Sequence, residues 1–257
     1  MISDIHGNMD ALDAILGDAR GFDDIVFLGD LVDYGPQPAE VIDILKSLGA
    51  RGVRGNHDHA VGYNVDCRCG REIHWLSTWF RENYTLRLLS KNDIEYLRKL
   101  PVTLSMQSDH YGRVLLVHGS PRNNLYGYLY PWLDNNTMLR ELTTGSRLSN
   151  KAVYKPIDAG LVLVGHTHYQ FLRVISGIHV ANPGSSGQPR DMDPRAAYMI
   201  LDAETGYLEF RRVRYDNTRV YKKLEQMGVR QPYLEALAWL FLKASMPPKE
   251  IQDSKTY

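Results

Sequence analysis

The chain contains only two cysteines in 257 residues, Cys67 and Cys69, which is too few for a disulfide framework. Neither sign of charge is in excess. Thirty Lys and Arg face thirty Asp and Glu, so no net field draws the molecule to a polyanion, and a nucleic-acid partner is disfavoured. No apolar run approaches the roughly 18 residues of a membrane span, so no spanning helix is expected and no membrane partner. The start, Met1-Ile2-Ser3-Asp4, lacks the basic stretch and long apolar region of a secretory signal. Low-complexity linkers are absent too. These absences make the cytoplasm the expected location and a single domain over 1–257 the expected organisation; they say nothing of oligomeric state.

What is present is ordinary in amount and unusual in arrangement. A hydrophobic content of 44% and a charged content of 23% suit a globular protein with a substantial core. Apolar residues at 11, 12, 15 and 16 predict a helix over Asp10 to Ala19. Ile25 to Leu28 reads as a buried strand, Pro38 to Leu48 as a helix with Pro at its start and Gly49 beyond its end, and Gly52 to Arg54 as a weak strand. Further helices are expected over Glu72 to Asn83, Ser90 to Lys99 and Asn135 to Leu142. Strands are expected at 103–107, 114–117, 161–164, 171–175, 179–181, 197–201 and 208–213. The last element is a helical segment over about 219–243, interrupted near Gly228 to Pro232 and read as packed against the core. A strand ending at Asp4 would have only three residues before it, short of the usual five or six.

Five short blocks each close an apolar run in metal-binding or acid–base side chains. They are Asp4-Ile5-His6, Gly29-Asp30 with Asp33, Gly55-Asn56-His57-Asp58, Val117-His118-Gly119 and Gly165-His166-Thr167-His168. Asp4, Asp30 and Asn56 are 26 residues apart in each step, close to the roughly 30 residues of a strand–helix–strand crossover. Polar side chains at the ends of consecutive strands converge on one rim of the sheet, where open α/β sheets bind ligands. Imidazole, carboxylate and amide oxygen together suit hard-to-borderline divalent ions. Asp4, His6, Asp30, Asn56, His118, His166 and His168 are too many ligands for one ion and right for two if a carboxylate bridges, for which Asp30 is placed. His57 is their unligated neighbour.

In order and wording these blocks resemble the calcineurin-like metallophosphoesterases. The stretches Ser3 to Asn8 and Asn182 to Arg190 are similar to a small bacterial and archaeal branch. The resemblance implies a four-layer α/β/β/α sandwich of two mixed β-sheets. It implies two divalent ions (Mn, Fe, Zn, Co or Ni), one held by Asp4, His6, Asp30 and His168, the other by Asp30, Asn56, His118 and His166. A hydroxide bridging them would attack phosphorus, with His57 protonating the leaving oxygen and Asp33 orienting His57. Phosphoprotein phosphatases of the superfamily carry Arg where this chain has Tyr34, which weighs against a phosphoprotein substrate. Asn8, Arg122 and Arg190 are the candidates for contacting substrate.

Other features have plainer readings. His59, His74, His110 and His179 fall outside the blocks and read as structural or surface residues. Cys67-Arg68-Cys69-Gly70 is half a zinc site at most, a regulatory disulfide between such near neighbours would be strained, and the stretch reads as a loop. The aromatic stretch Leu125 to Trp132 is either loop packing or a wall on which a planar group stacks. The expected function is hydrolysis of a small phosphodiester or nucleotide-type phosphoester. The rivals are a dinucleoside polyphosphate hydrolase, a phosphomonoester or phosphoprotein phosphatase, and an inactive scaffold of the same fold.

Overall fold

In a computed structural model, which describes residues 1–148 and 151–253, the opening third alternates as its periodicity predicts. Helix α1 (Met9–Asp18) is capped by Asn8, whose Oδ1 accepts from Ala11 N at 3.0 Å. Strand β1 (Val26–Phe27), helix α2 (Pro38–Ser47) and strand β2 (Arg51–Gly52) follow, β1 and β2 pairing in parallel. Ahead of the first block, Ile2 makes a single parallel bridge to Phe27. Helix α3 (Asn56–Tyr63) was not foreseen and begins inside the third block. Asp58 organises it, its carboxylate accepting from Asp30 N, Leu31 N and Gly55 N at 2.8, 2.8 and 2.9 Å. Gly55 is required there, since a Cβ would stand 2.0 Å from Asp30 Oδ1.

Helix α4 (Arg71–Phe80) runs through a π-helical turn at Arg81–Thr85 into the short α5 (Leu86–Leu88). Helix α6 (Lys91–Lys99) opens with a capping box in which Ser90 and Asp93 bond each other's backbone N–H. Strands β3 (Thr103–Ser108) and β4 (Gly112–Val117) form a hairpin, and helix α7 spans Asn135–Glu141. A second unforeseen element is the hairpin of β5 (Thr143–Leu148) and β6 (Lys151–Pro156). Then come β7 (Leu161–Leu163), β8 (Gln170–Ile175), β9 (Ile178–Pro183), β10 (Ala196–Leu201) and β11 (Leu208–Val213). Three helices close the described chain, α8 (Thr218–Gln226), α9 (Tyr233–Lys243) and α10 (Lys249–Asp253).

One mixed sheet has the order β3-β4-β7-β9-β8, with β4, β7 and β9 parallel and the outer strands antiparallel. The other is assembled from short pieces. The β10–β11 hairpin meets residue 1 through Met199 N donating to Met1 O at 3.0 Å, and the ladder continues through Ile2 to β1 and β2. Val26, Leu28 and Val53 of this sheet pack on Val114, Leu116, Leu161 and Leu163 of the first, forming the core between them. Leu12, Ile15, Val41, Ile42, Leu45 and Leu97 bring α1, α2 and α6 onto its outer face. On the far side Met138, Leu142 and Leu129 cover Leu115, Val117, Val162 and Val180. The layers are therefore helix, sheet, sheet and helix, the mixed α/β fold expected. Each fully buried Leu, Ile or Val adds about 1.5–3 kcal/mol by removal from water, which makes these interfaces the main source of stability. A fourth apolar cluster joins α4 to α8 and α9 around the buried Tyr34.

Candidate metal centre

The loops after the strands carry the seven expected ligands to one place, all of them buried. Asp4, His6, Asp30, His166 and His168 have φ between 49° and 66°, in the left-handed region that non-glycine residues avoid. The surrounding backbone enforces this. Asp4 N donates to Gly29 O, His6 N to Asp30 O and Gly165 N to His118 O, at 2.9–3.0 Å. The 182–190 stretch supports the same loops, with Ser185 Oγ donating to Asp4 O at 2.6 Å and Gly187 packed so tightly on Ile5 that a Cβ would fall 1.8 Å from its carbonyl oxygen.

Three of the four imidazoles are fixed by backbone carbonyls at Nδ1. His6 donates to Val32 O at 2.9 Å, His118 to Leu28 O at 2.7 Å and His168 to Gln188 O. Each Nε2 lone pair is thereby turned inward, where it meets other acceptors. His118 Nε2 lies 2.9 Å from Asn56 Oδ1 and 3.2 Å from Asp30 Oδ2. His168 Nε2 lies 3.4 Å from both Asp4 Oδ1 and His6 Nε2. Asn56 is oriented by its Nδ2, which donates to Cys67 O at 2.9 Å. His166 Nε2 is buried with no hydrogen-bond partner among the described residues. Acceptors facing acceptors, with a buried imidazole nitrogen unmet, are satisfied by cations, so the donor set fits divalent metal.

The ligand atoms fall into two trios, Asp4–His6–His168 and Asp30–His118–His166. Asp30 Oδ2 faces both, 3.8 Å from His6 Nε2 and 3.2 Å from His118 Nε2. The electrostatics are unbalanced in the way such a site requires. Burial, reinforced by Asp30, pushes Asp4 up to about 7, while burial lowers His6 to about 3. Burial also carries His166 and His168 well below the ordinary imidazole value. At His118 burial is overcome by the Asp30 carboxylate, and the ring rises to about 9. Buried carboxylates thus stand among three imidazoles that resist protonation, His6, His166 and His168, and a fourth, His118, drawn to Asp30.

His57, the second residue of α3, lies beside this cluster with its ring 5.0 Å from that of His6. Its Nδ1 is 2.8 Å from Asp33 Oδ2, and the same oxygen accepts from Arg81 Nε and Nη2 at 3.0 and 2.7 Å. Although burial opposes both shifts, Arg81 and His57 lower Asp33, while Asp30 and Asp33 help raise His57. Arg81 was not singled out in the sequence: it stands 48 residues from Asp33, on the π-helical turn. Asp58 was likewise missed as the organiser of the third block. Tyr34 is fully buried and packs edge-on against His6.

The three candidates for contacting substrate separate. Asn8 is fully buried and engaged as the α1 cap and as donor to Gly187 O and Tyr215 Oη, so it offers nothing to a substrate. Arg122 lies 3.8 Å from the Tyr154 ring centroid, in a cavity of about 500 Å³ that also includes Tyr126, Tyr128 and Glu141. Arg190 is the one whose charge reaches Asp4, His6, His166 and His168. The Tyr128 ring lies tilted against His166, centroids 4.1 Å apart, and stacks outward through Tyr130 to the exposed Trp132, so the aromatic stretch borders the centre.

Comparison with known proteins agrees with this geometry. A model of the calcineurin-like phosphoesterase superfamily domain matches residues 1–206. An uncharacterized protein of Methanocaldococcus jannaschii is 29% identical over 246 residues, covering 87% of this chain and 90% of that protein. A symmetrical bis(5'-nucleosyl)-tetraphosphatase of Baumannia cicadellinicola is 32% identical over 152 residues, 54% of this chain and 48% of that one. The crystal structure of a metallophosphoesterase from Sphaerobacter thermophilus superposes with a TM-score of 0.71 at 29% identity, over 92% of this chain and 96% of that. With the family model spanning all five blocks, the chain belongs to the calcineurin-like phosphoesterase superfamily and is a phosphoester hydrolase.

Proposed function

We propose that the chain is a dinuclear-metal phosphoesterase acting on a small phosphodiester or nucleotide-type substrate. The observation that carries this is Asp30 Oδ2, one oxygen facing both ligand trios. Asp4, His6, Asp30 and His168 would hold one ion, and Asp30, Asn56, His118 and His166 the other. When bound, the pair supplies Lewis-acid charge that neutralises the phosphoryl oxygens and makes water acidic enough to attack phosphorus near neutral pH. The protein's own groups do the rest. Asp33 holds His57 by Nδ1, which leaves Nε2 to deliver a proton to the leaving oxygen. Arg190, steadied by Gln188 Oε1 at 2.9 Å, draws the phosphate over the centre.

The test is metal content together with hydrolysis of p-nitrophenyl phosphate and its bis ester in Mn²⁺. Two ions per chain, one in His166→Ala, with preference for the bis ester, are expected. One ion in both proteins would overturn the dinuclear reading. Tight metal binding without turnover of either ester, nucleotides or dinucleoside polyphosphates would leave the inactive scaffold.

A second reading, cleavage of dinucleoside polyphosphates, is supported by the Tyr128–Tyr130–Trp132 ladder leading from His166, on which a base can stack. Among the described residues no helix is long and apolar enough to cross a membrane. We place the activity in the cytoplasm, a reading supported by the scarcity of cysteine, two in 257 residues.

A further inference from the structure

Cys67 and Cys69 sit on the segment between α3 and α4, which carries them to the wall of the metal centre. Cys67 is buried and Cys69 half-buried, with their sulfurs 2.8 Å apart. Cys67 Sγ lies 3.4 Å from Ser77 Oγ, which is 3.4 Å from His57 Nδ1. Ligand atoms of His57, Cys67 and Cys69 fall within 4.8 Å of one another, a spacing that suits a soft cation. The charge beside them opposes it: Arg81 Nη2 donates to Ser77 Oγ at 3.1 Å and stands 3.5 Å from His57 Nδ1. A permanent guanidinium repels a further cation and favours attack of sulfur on an oxidant.

We propose that Cys67 and Cys69 form a thiol-oxidation site, closed to a disulfide by a peroxide-class oxidant, and that closure lowers the activity of the neighbouring centre. The second clause rests on the phosphoesterase reading. The Cys67 sulfur, which faces the Ser77–Arg81–His57 group, attacks hydrogen peroxide, breaking its O–O bond to give Cys67–SOH and one water. Cys69 sulfur then displaces the hydroxyl, which leaves as a second water, its thiol proton going with it. The two sulfurs together give up two electrons, and the peroxide takes them.

The route to the centre is a single hydrogen bond. Cys67 O accepts from Asn56 Nδ2 at 2.9 Å, and that bond turns Asn56 Oδ1 toward His118 Nε2. The Cys67 carbonyl carbon is a member of the small ring that a disulfide across Arg68 would close, so closing it displaces the anchor of Asn56. Disulfides of this kind are readily reduced, which makes the change reversible.

The test is peroxide treatment of the full Mn²⁺-loaded chain, reading free thiols, intact mass and hydrolysis. Wild type is expected to lose two thiols and two hydrogens, and activity by ten-fold or more, within the roughly 10–100-fold range for loss of a ligand's outer partner. Dithiothreitol should restore it. Cys69→Ser, which keeps Cys67 and its carbonyl, should start with wild-type activity and resist the peroxide. Two thiols persisting, or equal inactivation of Cys69→Ser, would overturn the proposal. So would thiols masked by Zn²⁺ at unchanged protein mass, which would make the pair a metal site. Thiol count and mass read the bond itself, so an inactive reduced protein would count against the hydrolase reading and not against the oxidation site.

Discussion

The ring of His57 is held at Nδ1 by Asp33, and Asp33 is itself held by two bonds from Arg81. Removing the ring should cost most where the leaving oxygen most needs a proton. His57→Ala is expected to lower kcat by about 10²–10⁴-fold on a nucleoside leaving group, and far less on p-nitrophenolate. Equal losses on both would deny His57 the role of acid. Arg81→Met leaves the Asp33 carboxylate buried without its strongest partner, which costs about 3–5 kcal/mol. A urea midpoint unchanged from wild type would show that the pair is not stabilising. Of these residues the sequence displayed His57 and Asp33, because acid–base side chains in short blocks are visible in one dimension. Arg81 was hidden because its partner is 48 residues away. The carbonyls of Leu28, Val32 and Gln188, which orient three imidazoles, were hidden because every residue has one.

Among elements, α3 links the machinery together. Its Asp58 fastens the loop of the second block to the start of the third through three backbone N–H groups, and His57 N donates to Asp30 Oδ1 at 2.8 Å. Asp58→Asn replaces one acceptor oxygen by a donor facing a donor, which should cost about 1–3 kcal/mol. Faster amide exchange at Asp30 and Leu31 is the expected local signature, and unchanged exchange there would refute this account of the cap. The helix escaped prediction because Asn-His-Asp-His-Ala-Val-Gly-Tyr carries little apolar periodicity. The β5–β6 hairpin escaped because Thr143-Thr-Gly-Ser-Arg does not alternate. Helices α1, α2 and α6 were legible, since each buries a single stripe and carries a cap, a proline or both. The antiparallel hairpins β3–β4 and β10–β11 were legible from two apolar runs around a turn.

For the whole molecule, the apolar cluster of α4, α8 and α9 closes over Tyr34, which packs against His6. The C-terminal helices are thus continuous with the catalytic half, and we propose that 1–257 folds as one domain. A single denaturation transition is expected, with far-ultraviolet circular dichroism and tryptophan fluorescence coinciding; two separated transitions would divide the chain.

The burial of all seven ligand side chains has a consequence in time as well as in energy. An ion leaving the centre must break its bonds to several buried side chains held by backbone hydrogen bonds, so its loss is expected to be slower than diffusion. Exchange with the surrounding solution is then slow. Chelators should strip the ions over the timescale of local opening, and loss as fast as mixing would overturn this.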